Sequence, residues 1–126
     1  MVRSKGGACA LTWTSAALAE RLGGDEALAR ELVDIFLAEH AKLLQMLRTS
    51  VEQGEAKAIR RSAHALKGSI ANFIDDGPTA TAGAIECAAI ESRLADIPAL
   101  MEQLEPEVRE LVQAMRGFSG ETRCAS

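Results

Sequence analysis

A chain of 126 residues holds one domain with a single core and is too short for a catalytic domain plus a regulatory one. Hydrophobic residues at 48% and charged residues at 25% exclude a disordered chain, while 3% aromatics without tyrosine leave an aliphatic core and no platform for stacking nucleic-acid bases. A formal net charge of -4 argues against general attraction to nucleic acid or anionic lipid, so any basic site must be local.

Three cysteines, Cys9, Cys87 and Cys124, stand far apart with no CxxC pair, which suggests neither a disulfide framework nor a zinc site and fits a reducing cytoplasm. The N-terminal MVRSKGGACALTW has no apolar run long enough for a signal peptide, and no segment approaches the roughly 18 apolar residues of a membrane span. Cys124 is third from the end, so the C terminus is no lipidation box. Residues 1–10 and 117–126 are expected to be flexible ends around a domain over residues 11–116.

In chain order, Thr14 or Ser15 caps a short helix that runs to Leu22 and stops at Gly23-Gly24. Asp25 caps a long second helix whose apolar residues Leu28, Leu32, Ile35, Phe36, Leu43, Leu47 and Val51 recur at three and four, ending near Gly54. A third helix from about Glu55 carries a narrow stripe, Ile59, Ala63, Leu66, Ile70 and Phe73. Asp75 to Pro78 form a turn, with Pro78 in the first turn of a fourth helix. That helix, reaching Leu94, is alanine-rich and apolar nearly all round, so two stripes fit it and its orientation stays open. Asp96 and Pro98 open a last helix with Leu100, Leu104, Val108, Leu111 and Met115, in which Pro106 predicts a kink. No run alternates with period two, and the connections are short. The fold expected is all-α: an up-and-down antiparallel four-helix bundle with a short extra N-terminal helix.

At 100° per residue, the stripe of the third helix sets an inward direction from which His64 points about 140° away. Arg60, Lys67, Gly68 and Ala71 surround it at i-4, i+3, i+4 and i+7, with Lys57 and Arg61 further out on the same half. No acid occurs from Ala56 through Ala71. A lone exposed histidine in a charge run is most often a solvated surface, but Gly68 argues otherwise. A glycine inside a helix costs about 1 kcal/mol relative to alanine, so one turn beyond His64 it suggests close approach to the backbone.

Ser69 is adjacent, yet a Ser/His nucleophilic pair lacks an orienting third group and an oxyanion hole. The only other histidine, His40, lies on a different helix, and no acid sits at ligand spacing from His64 on its own helix, which weakens a metal reading. A neutral imidazole is a nucleophile near neutral pH, and nearby cations keep its lone pair available. If it takes a phosphoryl group, Lys67 offsets the incoming charge and Gly68 leaves room for the phosphoryl oxygens. Phosphoryl transfer suits these residue types best.

The run AHALKGSIANF resembles the signature of histidine-containing phosphotransfer (HPt) domains, A-H-x-L-K-G-S followed by a small residue, Asn and an apolar residue. The likeness covers residues 11–115, including the glycine-marked turn before the histidine helix. The resemblance implies a four-helix bundle, His64 phosphorylated on its outer ring nitrogen, and Lys67 and Gly68 as its immediate surroundings. Counting from the motif without a gap, it implies Glu86 on the next helix as the group orienting the imidazole. Two departures from the pattern stand out: Ile74 stands where glycine is usual, and Pro78 and Thr81 where leucines are common.

The partners implied are response-regulator receiver domains and a sensor or hybrid histidine kinase, with the basic face meeting the acidic rim of a receiver. Lys57, Arg60, Arg61 and Ala71 are the candidate partner-binding residues. No P-loop or glycine-rich nucleotide motif occurs, so a phosphocarrier with no cofactor of its own is expected, magnesium being on the receiver. Three functions stay open. One is a separate phosphorelay shuttle, monomeric and cytoplasmic; another is the phospho-accepting module of a hybrid or chemotaxis-type kinase. The third is a helical adaptor that docks receivers without phosphotransfer.

Overall fold

The computed structural model describes residues 13–125, with side chains through Phe118. Its elements are α1 (Ser15–Arg21), α2 (Glu26–Gln53), α3 (Ala56–Ala71), α4 (Pro78–Ile90) and α5 (Ile97–Ala125), with one 3-10 turn at Leu94–Asp96. No strand occurs among the described residues. α3 packs against α2 on one side and most extensively against α4 on the other, α5 joins α4 to α2, and α1 leans on α2. The result is the four-helix bundle with a short extra N-terminal helix. None of the described helices is long and apolar enough to cross a membrane. Residues 1–10 lie outside the described part.

The polar punctuation acts as capping chemistry. Thr14 Oγ1 accepts from the Ala17 N–H at 3.0 Å, and Asp25 accepts from Leu28 N–H at 2.9 Å, each satisfying an amide that the first turn leaves without a partner. Gly54 closes α2 with φ 68°, in the left-handed region that glycine enters without a Cβ penalty. α3 has no cation in its own last turn, and α1 supplies one. Arg21 donates to the carbonyls of Ala71 and Asn72 and pairs with Asp75 at 2.8 Å, placing positive charge at the negative end of the α3 dipole.

The core stripe of α3 is the expected one, since Ile59, Ala63, Leu66, Ile70 and Phe73 are all buried. In α2 Phe36 and Leu47 of the expected stripe are buried and Leu32, Leu43 and Val51 pack partly buried against the core, joined by Ala29, Val33 and Leu44, whereas Leu28 and Ile35 are exposed at 38% and 49%. The apolar face is wide, and the side toward Ala29 and Val33 is the one turned to the neighbouring helices. α4 turns Pro78, Thr81, Ala82, Ile85, Ala88 and Ala89 inward. It stops at Ile90, four residues short of the expected Leu94, because Ser92 adopts φ 60° and the Arg93 N–H reaches back to Ala88 O at 2.7 Å.

α5 runs through Pro106 and continues to Ala125, past the residue-116 boundary at which a flexible tail was expected. No proline follows Pro106 to stop it, and Phe118 lies edge-on to buried Trp13 at 6.3 Å, giving the turn after Met115 something to pack on. Gly117 and Gly120 each weaken that stretch by about 1 kcal/mol without breaking it.

Candidate functional site

His64 lies on α3 and Glu86 on α4, the two helices in closest packing. Ala63 and Leu66 fill the core on either side of His64, which leaves its ring on the outer face with 68% of the side chain exposed. Glu86 is the opposite case, with only 13% of its side chain exposed. Its neighbours Ile85, Ala88 and Ala89 pack inward and hold the carboxylate at the rim of the α3/α4 seam.

Glu86 Oε2 lies 2.8 Å from His64 Nδ1, and Oε1 lies 2.7 Å from Lys67 Nζ. The lysine is the larger cause holding the Glu86 carboxyl below the usual carboxylate range; partial burial opposes it and the hydrogen bond from His64 adds to it. An ionised carboxylate can only accept, so Nδ1 carries the proton and donates, and the lone pair of neutral His64 resides on Nε2. That nitrogen faces outward on an exposed ring. The arrangement is an exposed imidazole with a fixed tautomer and a charge-bearing anchor beneath it.

Lys67 is one-third exposed and tied to Glu86, a partner not anticipated for it from the sequence. Its stem lies over Gly83, where an added Cβ would sit 3.5 Å from Lys67 Cδ. Gly83 was also missed in the sequence. The available signal was a glycine within an alanine-rich helix, three residues before Glu86 and so on the same face. Gly68 is exposed, and an added Cβ there would meet no atom within 4 Å. The backbone beside His64 is therefore open to an approaching group.

Lys57, Arg60 and Arg61 are exposed along α3 on the N-terminal side of His64, and Ala71 is half-buried two turns beyond it. Among the described residues no group of three or more His, Cys, Asp or Glu side chains could hold a metal ion.

The two departures from the motif are absorbed without displacing Glu86. Ile74 is buried, and its carbonyl accepts from Thr79 Oγ1 at 2.6 Å, which anchors the start of α4. Thr81, buried at 4%, donates to Glu107 Oε1 at 2.6 Å and accepts from Gln103 Nε2 at 3.2 Å. Where a leucine would pack, a hydroxyl here links α4 to α5 by hydrogen bonds.

The Hpt domain family model matches residues 31–118, which contain the whole α3/α4 site. The chain belongs to the Hpt domain family. It is thereby one of the histidine phosphotransfer modules of two-component signalling. Among solved structures, it is similar to histidine-containing phosphotransfer protein B (HptB) from Pseudomonas aeruginosa PAO1, at 25% identity and a TM-score of 0.79, over 89% of this chain and 97% of that one. A search of curated proteins gives no match.

Proposed function

We propose that this Hpt domain accepts a phosphoryl group on His64 from the phospho-aspartate of one receiver domain and passes it to the aspartate of another. The observation that carries the reading is the exposed His64 ring with Nδ1 held by Glu86 and Nε2 directed outward. In the forward step the Nε2 lone pair forms the N–P bond as the P–O bond to the aspartate breaks, and the carboxylate leaves with the electron pair. The Nδ1 proton stays in place, so the phosphorylated ring carries positive charge directly opposite Glu86. Transfer onward reverses these events and returns a neutral imidazole.

Binding and positioning supply the chain's contribution. Glu86 orients the ring, Lys67 keeps Glu86 ionised and brings a cation near the incoming phosphoryl oxygens, and Gly68 leaves the backbone open beside them. Magnesium and most of the stabilisation of the transferring group belong to the receiver, so the chain acts as a carrier and not as a kinase. Exposed Lys57, Arg60 and Arg61, with Ala71, form the surface that meets the acidic rim of the receiver; the cations speed encounter at low salt.

Incubation with a phosphorylated receiver domain and magnesium tests this reading, with His64→Gln alongside. Transfer to the wild type and none to the variant, with both folded and both binding the receiver, is the expected result. Equal labelling of the two, or receiver binding with no transfer to the wild type, would replace the carrier with an adaptor.

A further inference from the structure

The side of the bundle opposite the histidine holds a second feature that phosphotransfer does not use. α2 and α5 pack less extensively than the other neighbouring helices of the bundle, and an open groove of about 260 Å³ lies between them. Its floor is apolar, formed by Leu44, Val108 and Val112, each nearly buried. Its walls carry Arg48, Arg109 and Arg116, with His40 at one end. One acid lines it, Glu105, and Arg48 already holds that carboxylate at 2.8 Å. Arg109 and Arg116 are exposed and have no ion-pair partner among the described residues. His40 directs Nδ1 at the carbonyls of Phe36 and Leu37, at 3.3 Å and 3.1 Å, so its donor is engaged within α2.

An acidic protein thus keeps an arginine-rimmed apolar groove. The seven-residue spacing places Arg109 and Arg116 on one face of α5, about 10 Å apart along the axis. That separation is too great for both to grip one phosphate or carboxylate, and it suits carboxylates spread along an extended partner. An apolar floor with unpaired cations along its α5 wall is the complement of a helix whose apolar stripe is bordered on one side by acids.

We propose that the α2/α5 groove docks an acidic amphipathic helix of a partner protein, and that it does so while His64 remains accessible. None of the groove residues lies on α3 or α4, so an occupant does not cover Nε2 of His64. The groove would hold the carrier to a scaffold or kinase while the opposite face exchanges its phosphoryl group.

The probe is a fluorescent synthetic helical peptide with leucines at i, i+4 and i+7 bordered on one side by a row of glutamates, titrated into the full chain at low salt. Binding to the wild type is expected, weakened about tenfold or more by Arg109→Glu with Arg116→Glu and to an intermediate degree by the paired Gln substitutions. Backbone amide shifts should map to α2 and α5, and phosphoryl transfer to His64 from a receiver should keep its wild-type rate with the peptide bound. No binding, binding unchanged by charge reversal, equal binding of a scrambled peptide, or shifts centred on α3 and α4 would each overturn the proposal. Displacement of the peptide by millimolar inorganic phosphate at constant ionic strength would instead assign the groove to small anions.

Discussion

Glu86 Oε2 accepts the Nδ1 proton of His64 at 2.8 Å, and through its other oxygen the same carboxylate binds Lys67. One side chain on α4 therefore sets the tautomer of a histidine on α3 and stays ionised because of a lysine one turn further along that helix. Exposure of the ring and partial burial of its anchor go together: the imidazole is open to solvent while the carboxylate that orients it is largely shielded.

Glu86→Gln keeps the shape and removes the charge. An amide oxygen accepts from Nδ1 less strongly and no longer pairs with Lys67. Transfer from a phosphorylated receiver is expected to slow by about 10- to 100-fold, the range seen when a group orienting a functional histidine is lost. Circular dichroism should show the bundle intact, since Glu86 is not in its core.

Gly68 separates stability from function. An added methyl meets no atom within 4 Å, and alanine is favoured over glycine inside a helix by about 1 kcal/mol. Gly68→Ala should raise the denaturation midpoint. Gly68→Gln should stay folded yet lose most of its transfer rate, because its side chain occupies the open space beside His64. Rapid transfer by the glutamine variant would mean that no partner comes close to this backbone.

Acid should weaken the bundle partly through Glu86. Its folded carboxyl is depressed below the ordinary value of 4.5, mainly by Lys67, so the unfolded chain takes up the proton first as pH falls. The stability it contributes is complete above pH 4.5 and is lost as pH drops through the lower folded value. Urea denaturation at pH 6 and pH 3 should therefore show a smaller loss for Glu86→Gln than for the wild type.

Thr81→Val tests the polar link between α4 and α5. Valine has the same shape, but Gln103 and Glu107 lose the hydroxyl that serves both. A cost of about 1 kcal/mol is expected in chemical denaturation. The transfer rate should change little, since Glu86 keeps its own contacts.

How far these relationships were legible depended on how many faces of each helix were apolar. α3 has a single stripe, Ile59 to Phe73, between polar residues, so its inward direction and the exposure of His64 followed from the helical period alone. α2 is apolar over a wide face, and the stripe read on it placed Phe36 and Leu47 correctly but took in Leu28 and Ile35 at its exposed edge and left out Ala29 and Val33. Packing against the neighbouring helices set where that edge falls. α4 is apolar nearly all round, and the facing helices set its rotation, including that of Glu86. The pairing of Lys67 with Glu86 joins residues on two helices and carries no local signal. The early stop of α4 rests on a serine with positive φ, a conformation that glycine usually marks in a sequence.

The most direct measurement is a phosphorus–nitrogen correlation spectrum of the protein carrying 15N-labelled histidine, recorded after phosphorylation by a receiver domain. A single phosphorus coupled to Nε2 of His64, with Nδ1 still protonated and His40 unmodified, is the expected result. Coupling to Nδ1, or a phosphoryl group on any other residue, would contradict the role assigned to Glu86 and to the outward face of His64.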